Sequence, residues 1–531
     1  MKKMTRIIHA PLAAITLGWL AVQFAPNGFG VVPPPDGGYP NFNTAEGQKA
    51  LFSLTTGQWN TALGAFTLWK NTDGSFNTAV GTAALLLNVG DQSAGEGVEN
   101  TAVGAAALLL TTTGSNNTAV GVDALLSNVT GNFNTATGVA ALASNTASFN
   151  TANGYQALLS NTAGFSNTAT GFDALFSNTD GFQNTANGTG TLATNTHGHD
   201  NTATGFGALV NNDTGSFNTA NGVNALLSNT IGDSNTANGV NALFSNVDGS
   251  QNTAVGDSAL FSNSGGAGNT AIGYHALQDN MTGFGNIGVG VQALQHGIGG
   301  NFNIAIGGTT LFNTTGANNI ALGTSAGSAL TNGNSNIDIA NAGVAGESGT
   351  IRIGNSMAHD RTFIAGIRGV TTGNNNAVNV VIDSAGQLGT MSSSRRFKKE
   401  IQSMDKVSEA ILGLKPVTFH YKSDNTSRPE FGLIAEEVAE VNPDLVVRDD
   451  NGELYTVRYD AVNAMLLNEF LKEHHKVQEQ TQKIQEQETT IAELKKQVQT
   501  VVAHAKEQDI KIQRVSDRIQ LNSSPVVVTD R

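Results

Sequence analysis

A five-residue phrase recurs through more than half of this chain at nearly constant spacing. The phrase is Asn-Thr-Ala-x-Gly, and it continues with isoleucine in the threonine position in its last three copies. Its 17 asparagines are Asn43, Asn60, Asn77, Asn100, Asn117, Asn134, Asn150, Asn167, Asn184, Asn201, Asn218, Asn235, Asn252, Asn269, Asn286, Asn303 and Asn319. The step is 17 residues except for two steps of 16 and one of 23, which holds an insertion around residues 90–99. A fixed period of this length is typical of a solenoid.

A 17-residue unit cannot bury a hydrophobic face alone, but it can do so by stacking on its neighbours. Gly, Asn and Thr are poor helix formers, so short strands broken by glycine turns are favoured over helices. We therefore expect a mostly β chain with a β-solenoid over residues 43–334, Ala and Leu pointing inward, and Asn or Thr at the corners. Stacked strands would allow ladders of asparagine amides, and 17 coils would form a rod of about 80 Å.

The inward-facing residues of each coil are small, as in Ala119, Ala136, Ala152 and Ala169. Thin coils bury little surface, which leads to the hypothesis that several chains share one core. The array resembles the head repeats of trimeric autotransporter adhesins, with Asn, Ala and Gly at fixed positions. That resemblance implies a trimeric, left-handed β-roll. A monomeric β-helix is the alternative.

Charge is distributed very unevenly along the chain. Of the 28 Lys and Arg residues, 20 lie at or after Arg395, and none lies between Lys70 and Arg352. The long segment without cations cannot be held by salt bridges or clamp phosphate, and the net charge of -14 argues against a nucleic-acid partner. The absence of cysteine excludes disulfides, thiol catalysis and thiolate metal sites. Two different kinds of sequence therefore meet near residue 390.

The N-terminus has the pattern of an export signal. Lys2, Lys3 and Arg6 precede an apolar run over residues 10–25, and this run is shorter than the roughly 20 residues of a spanning helix. We expect a signal peptide at residues 1–25, a Pro/Gly-rich linker at 26–42, and a secreted or cell-surface protein. An uncleaved membrane anchor is the alternative.

The solenoid also carries candidate binding residues. Aromatic residues recur at variable positions of the repeat. If their rings are exposed, they could bind surface glycans or a host cell surface. We favour the alternative, in which they pack between coils. These aromatic residues are Phe133, Phe149, Phe165, Phe182, Phe217, Tyr155, Phe172 and Phe206. His197, His199 and Asp200 have ligand chemistry, but a single cluster of this kind is more typical of a solvated loop. We predict no metal site and no cofactor.

The period breaks after residue 334. Residues 350–354, 362–366 and 378–383 alternate as strands do, and residues 384–389 have a turn composition. We expect a β-rich neck over residues 335–391.

Three blocks follow in order, at residues 392–401, 414–421 and 431–438. Together they resemble the C-terminal intramolecular chaperone of phage endosialidase tailspikes, a family of self-cleaving serine peptidases that also occurs in other tail fibres. The resemblance implies an α+β chaperone domain at residues 392–475. In the family pattern Ser-Asp-x-Arg-x-Lys-x-x-Ile, the matching positions are Ser393, Arg396, Lys398 and Ile401, and Ser394 replaces the Asp.

By this resemblance, Ser393 is the nucleophile, Lys398 is the general base and the scissile bond joins Ser392 to Ser393, with Arg396 and Ile401 supporting. A serine hydroxyl is a weak nucleophile until a base takes its proton, and a lysine serves as base when it is desolvated or crowded by cations. Five residues of separation place Ser393 and Lys398 on different faces of a helix or strand. The pair therefore needs an irregular turn, or Lys398 from a neighbouring chain. Alternatively, Ser393 only caps a helix beside a solvated basic cluster.

The last segment has a seven-residue apolar period typical of a coiled coil, which we place at residues 476–522, with a tail at 523–531. The first seam position holds Val477, Ile484, Ile491, Val498, Ala505, Ile512 and Ile519. The position three residues later holds Gln480, Gln487, Leu494, Val501, Gln508 and Val515. The family resemblance implies a trimer, and the seam alone would also allow a dimer.

These features lead to one functional hypothesis and several alternatives. We expect a fibrous homotrimer, adhesin-like or tail-fibre-like, whose C-terminal chaperone drives assembly and is then released by autoproteolysis before Ser393. The activity would be a single self-cleavage, with no external substrate. The alternatives are a phage-type receptor-binding fibre and an uncleaved fibre with a trimerisation clamp. A glycan-cleaving enzyme is disfavoured because no paired carboxylates recur with basic partners in the repeats.

Overall fold

The computed structural model describes residues 39–521 apart from 356, 360, 366, 368–376, 384–385, 423–427 and 450. The chain divides into two compact units, Met1–Phe363 and Ile364–Arg531. The predicted signal peptide at 1–25, most of the linker at 26–42 and the tail at 523–531 lie outside the described residues. In the described part of the chain, no helix is both long enough and apolar enough to cross a bilayer.

The first unit is a β-solenoid, as the repeat predicts. After a short 3-10 helix at Pro40–Phe42, 19 strands of three residues form one parallel sheet. They are β1 Thr44–Glu46, β2 Thr61–Leu63, β3 Thr78–Val80, β4 Thr101–Val103, β5 Thr118–Val120, β6 Thr135–Thr137, β7 Thr151–Asn153, β8 Thr168–Thr170, β9 Thr185–Asn187, β10 Thr202–Thr204, β11 Thr219–Asn221, β12 Thr236–Asn238, β13 Thr253–Val255, β14 Thr270–Ile272, β15 Ile287–Val289, β16 Ile304–Ile306, β17 Ile320–Leu322, β18 Ile337–Ile339 and β19 Ile351–Ile353.

Each Thr-Ala-x segment pairs in register with the same segment one coil later. In β8 and β9, for example, Ala169 lies beside Ala186, and both are completely buried. The leucine on another side of the same coil, such as Leu175, is also completely buried. Buried and exposed residues alternate along each strand because successive side chains point to opposite faces of the sheet. The prediction that Ala and Leu point inward is confirmed.

The repeated asparagines form buried amide ladders. The Nδ2 atom of Asn167 donates to the Gly181 carbonyl at 2.9 Å and to Asn150 Oδ1 at 3.2 Å. A second row runs through Asn178, whose Nδ2 donates to Asn161 Oδ1 at 2.6 Å and to the Gly181 carbonyl at 2.8 Å. Both asparagines are fully buried, so they hold the turns from inside the coil instead of facing solvent at its corners.

The glycine of the phrase is required by the contact between coils. Gly171 has a φ of +132°, and a Cβ added there would lie 2.5 Å from the Gly188 carbonyl oxygen. A side chain at this position would force neighbouring backbones apart. The stacking itself therefore explains why the phrase ends in glycine.

The solenoid core closes within a single chain. Its leucines and alanines form one continuous buried cluster from Leu51 to Leu330. The premise that each coil is too thin to bury its own core is wrong, because leucines such as Leu175 fill the space opposite the strand alanines. A core shared between chains is thus not required for burial.

The solenoid extends beyond residue 334, into the predicted neck. β18 and β19 continue the parallel sheet, and Asn336 continues the ladder by donating to Asn319 Oδ1 at 3.1 Å. The predicted strand at 350–354 is present, but it is the last coil of the solenoid. The rest of the neck contains an antiparallel hairpin of β20 Val380–Ile382 and β21 Leu388–Thr390. The described residues of 362–366 form no strand, and part of the predicted turn at 384–389 belongs to β21.

The second unit is α+β, as predicted. It contains 3-10 helices at Arg395–Phe397, Asp405–Gly413 and Pro443–Leu445. Two antiparallel pairs join β22 Val417–Phe419 to β23 Glu430–Gly432 and β24 Val446–Arg448 to β25 Leu454–Val457. The helices are α1 Ala435–Val441 and α2 Tyr459–Leu521. Its core is small, with Val438, Leu445, Val457 and Met465 as the buried apolar residues of its cluster.

Asp338 is an unusual residue inside the last full coils. It occupies the position of Ala321 in the preceding strand, is 1% exposed, and neither carboxylate oxygen has a hydrogen-bond partner. Burial, with a smaller contribution from Glu347, raises the pKa of Asp338 to about 6. Arg352 lies beside Asp338 in register but pairs with Glu347 at 2.8 Å.

The asparagine ladder should contribute strongly to the stability of a coil. Asn218→Ala removes the acceptor of the Asn235 backbone N–H (2.9 Å) and the donor to the Gly232 carbonyl (2.9 Å). We expect a loss of about 1–3 kcal/mol for each buried group left unpaired. Hydrogen exchange should show faster exchange of the Asn235 amide. The matched control is Asn221→Ala, an exposed asparagine of the same coil, and equal effects of the two substitutions would contradict this role.

Asp338 should make the end of the solenoid less stable as pH rises. The folded chain holds the Asp338 proton more tightly than the unfolded chain, whose value is near 3.8, so this contribution is greatest below about pH 4 and is lost through pH 6. Asp338→Ala, which introduces the residue found at this position in strands β1–β14, β16 and β17, should raise the melting temperature most above pH 6. Melting curves from pH 4 to 8 would measure the difference. A benefit that does not depend on pH would contradict the assignment.

Candidate self-cleavage site

A short 3-10 helix separates the two predicted catalytic residues. Arg395–Phe397 forms this helix, with Phe397 N donating to the Ser394 carbonyl at 3.0 Å and Lys398 N to the Arg395 carbonyl at 3.1 Å. Ser394 and Lys398 on either side are extended. The chain between Ser393 and Lys398 is thus an irregular turn. This is one of the two alternatives given above, the other being a Lys398 from a neighbouring chain.

The single chain does not assemble the predicted catalytic pair. Ser392, Ser393, Arg396 and Lys398 are exposed, and no hydrogen bond joins Ser393 to Lys398 although the structure describes both residues. A serine hydroxyl surrounded by water and without a base remains a weak nucleophile. The site therefore has the predicted residues but lacks the contact that would activate them.

Apolar side chains surround the predicted cleavage point. Ile401 is 53% exposed and Phe397 is 62% exposed, and Met391 on the other side is exposed as well. The guanidinium of Arg396 lies over the Phe397 ring at 4.6 Å, a cation–π contact. The segment around the predicted cleavage point therefore leaves apolar side chains in contact with solvent.

A polar cluster that the sequence analysis missed attaches the following 3-10 helix to α2. Ser408 is fully buried, its Oγ accepts from Asn468 Nδ2 at 2.7 Å, and it is also hydrogen-bonded to Glu469. Lys472 Nζ donates to the Asp405 carbonyl and to Glu469 Oε1, both at 2.6 Å. Lys472, and then Ser408, lower the pKa of the Glu469 carboxyl. In the sequence, the four-residue spacing of Asn468 and Lys472 places both side chains on one face of a helix. Their shared partner, Ser408, lies 60 or more residues away, so the spacing alone does not identify it.

Tyr459, at the start of α2, holds the third block of the predicted chaperone. Its hydroxyl accepts a hydrogen bond from the backbone N–H of Leu433 at 3.0 Å. Gly432 makes this approach possible, since a Cβ there would lie 2.7 Å from the same oxygen. The second unit thus fastens two separate segments to the first turns of its long helix.

The long helix presents an unpaired apolar seam. α2 spans 63 residues, and its seam side chains Val477, Ile484 and Ile491 are all more than half exposed. The heptad continues towards the N-terminus through Leu466 and Phe470, which are 57% and 64% exposed. Glu473 interrupts this row, and the start of a coiled coil at residue 476 stays a prediction. Apolar residues at this spacing are what a coiled-coil partner would cover.

The aromatic residues of the solenoid pack between coils, as favoured above, and leave their edges in solvent. Phe133 stacks on Phe149 at 5.3 Å between ring centroids, and Phe165 stacks on Phe182 at 5.0 Å. His199 belongs to the same row, 4.7 Å from the Phe182 ring. These contacts do not include Phe206, which is 61% exposed, so part of the aromatic surface remains accessible to solvent.

The histidine cluster is engaged in pairs with acidic residues. His197 contacts Asp180 of the previous coil, and His199 contacts Asp200 at 2.9 Å. Among the residues that the structure describes, no group of three or more His, Asp or Glu side chains is arranged to hold a metal ion.

Comparison with known proteins identifies one family resemblance. The sequence model of a family described as chaperone of endosialidase matches residues 393–447. The match begins at Ser393, includes Arg396, Lys398 and Ile401, and extends to β24. No curated protein matches the chain, and no solved structure does either.

The Ser408 cluster should hold the 3-10 helix Asp405–Gly413 against α2. Ser408→Ala removes a buried hydroxyl shared by Asn468 and Glu469, and we expect a loss of about 1–3 kcal/mol in the stability of this contact. Hydrogen exchange over residues 405–413 would measure it. Ser403→Ala, at an exposed serine that donates to Asp405 Oδ1 at 2.8 Å, is the control. If both variants exchange as the wild type does, the cluster has no such role.

Proposed function

We propose that this chain forms an exported homotrimeric fibre whose C-terminal unit directs assembly and is then removed by self-cleavage between Ser392 and Ser393. The observation that carries the proposal is the match of residues 393–447 to the chaperone of endosialidase, in a chain whose β-solenoid closes its own core. The solenoid is the lasting product, and the C-terminal unit is an assembly device. Export rests on the N-terminal sequence pattern alone.

The exposed apolar surface of the second unit supports assembly. A unit with four buried apolar residues in its cluster and a long exposed seam gains stability by burying that seam against other copies. The interior of the solenoid is already covered within one chain, so its core does not require association. Association would therefore begin at the C-terminal unit.

The arrangement of Ser393 and Lys398 supports cleavage that depends on assembly. In the proposed reaction, Ser393 Oγ attacks the carbonyl carbon of Ser392, and the hydroxyl proton passes to an uncharged Lys398 Nζ. The C–N bond then breaks, the proton moves to the departing Ser393 nitrogen, and an ester joins Ser392 to Ser393 Oγ. Water hydrolyses this ester and leaves a carboxylate on Ser392. Neighbouring chains would bring the base to the serine and exclude bulk water, since one chain alone does neither.

A second candidate is an uncleaved fibre in which the C-terminal unit remains as a clamp. Ser394 favours this candidate, because it stands where the pattern of the self-cleaving family has aspartate. The trimer and the solenoid would be the same in both cases. The two candidates differ only in whether the chain is cut.

A denaturing gel of the full chain tests cleavage. The wild type should yield fragments 1–392, less any signal peptide, and 393–531, whereas Ser393→Ala and Lys398→Ala should remain full length because nucleophile or base is lost. Ser392→Ala, which keeps both groups, is the control and should still be cut. A wild type that stays intact while forming trimers would establish the clamp instead.

Seam variants test whether cleavage depends on assembly. Ile491→Asp with Val498→Asp places charges in the seam and should abolish both association and cleavage. Thr489→Asp, on the outer side of the same helix, should leave both intact. Sedimentation and a denaturing gel of the same samples provide the two measurements, and monomers that still cleave would show that the site forms within one chain.

A further inference from the structure

The outer face of the solenoid sheet changes character along the chain. In strands β6–β12, the first residue is threonine and the third is threonine or asparagine, all of them exposed. In strands β15–β19, both outward positions are aliphatic. We call these ten residues the isoleucine face: Ile287, Val289, Ile304, Ile306, Ile320, Leu322, Ile337, Ile339, Ile351 and Ile353.

The isoleucine face consists of two continuous rows. Parallel pairing aligns Ile304, Ile320 and Ile337 in one row, and the other outward position is aligned in the same way. Six of the ten side chains are exposed, with Leu322 at 47% and Ile353 at 66%, and the other four are half-buried. The coil interior is filled by other residues, so these rows are additional to the core. A contiguous aliphatic surface that is largely exposed marks an interaction site.

We propose that the isoleucine face is where the solenoids of neighbouring chains pack against one another in the assembled fibre. This inference rests on the proposed function, because it takes other copies of this chain as the partner. The face lies in the last five coils, and only the β20–β21 segment separates it in sequence from the segment that resembles an assembly chaperone. Of all the coils, these five are nearest in sequence to the second unit. Copies that are joined through their second units would therefore bring these coils together first.

The chemistry of the face suits an identical partner. Each chain carries a net charge of -14, so copies repel except where their contact is uncharged, and none of the ten side chains is charged. Symmetric assembly places the same residues of each copy around one axis, and rows of Ile present equal, interlocking shapes. At the same positions in the central coils, Thr and Asn keep the rest of the face compatible with water.

The repeat also explains why such a contact needs a chaperone. Shifting one chain by a single coil again places Ile beside Ile along most of the face, so the contact defines its register weakly. A unique structure at one end of the chain is needed to set that register. The second unit, with its single long helix, can supply it.

Cysteine cross-linking tests the proposal directly, because the chain has no cysteine of its own. Ile320→Cys in the full chain should form interchain disulfides under mild oxidation at least about tenfold faster than Val291→Cys, an exposed residue away from the sheet. One cysteine per chain can join only two chains of a trimer, so the gel should show linked dimers and free monomer. Equal rates in a sample that sediments as a trimer would overturn this inference, whereas a monomeric wild type would overturn the proposed function.

A paired substitution gives a second measurement. Ile304→Thr with Ile320→Thr introduces the residue found at this position in all of the first 14 strands, so the coils should still fold. The assembled solenoid should then dissociate at lower denaturant concentration than the wild type. Thr202→Ile with Thr219→Ile, the reverse exchange in the central coils, is the matched control and should not weaken assembly. Wild-type resistance in the Ile→Thr variant would contradict the proposal.

Discussion

The buried asparagine amides are the interaction on which the solenoid depends. Each coil is built largely from Ala, Gly, Thr and Asn around a buried leucine. Asn167 accepts from the Asn184 backbone N–H at 3.0 Å and donates to Gly181 at 2.9 Å, so one side chain secures both its own turn and the start of the next coil. Because a buried amide without partners is costly, coils that slip out of register are excluded.

This regularity has a consequence for assembly. Within one chain the ladders align each coil with the next, but across chains one coil resembles another. The coils differ mainly at particular places, such as the insertion at residues 90–99 and the C-terminal coils with Asp338 and the Arg352–Glu347 pair. Information about which coil should face which must therefore come from elsewhere, and the second unit, with its unique sequence and exposed helix seam, can provide it.

The sequence predicts what the repeat itself encodes and misses what interrupts the repeat. Strand positions and inward Ala and Leu follow from the period, whereas β18 and β19 were placed in a neck because Asp338 and Thr350 replace the expected Ala and Asn. The strand alanines alone predict a thin coil, and the buried leucines opposite them, such as Leu175, complete its core. The candidate catalytic residues follow from a motif and stay a prediction, but no motif predicts the Ser408 cluster, since it joins residues 60 apart.

The order of events gives the separated site a physical rationale. If Ser393 and Lys398 met within a newly made chain, cleavage would remove the second unit before it had aligned any partner. In the proposed fibre, an exposed serine without its base stays inactive until other chains supply the missing contact and exclude water. Cleavage then follows assembly, and because the freed solenoids no longer carry the unit that aligned them, the finished fibre cannot readily reassemble once it is pulled apart. Its persistence would then depend on contacts such as the isoleucine face.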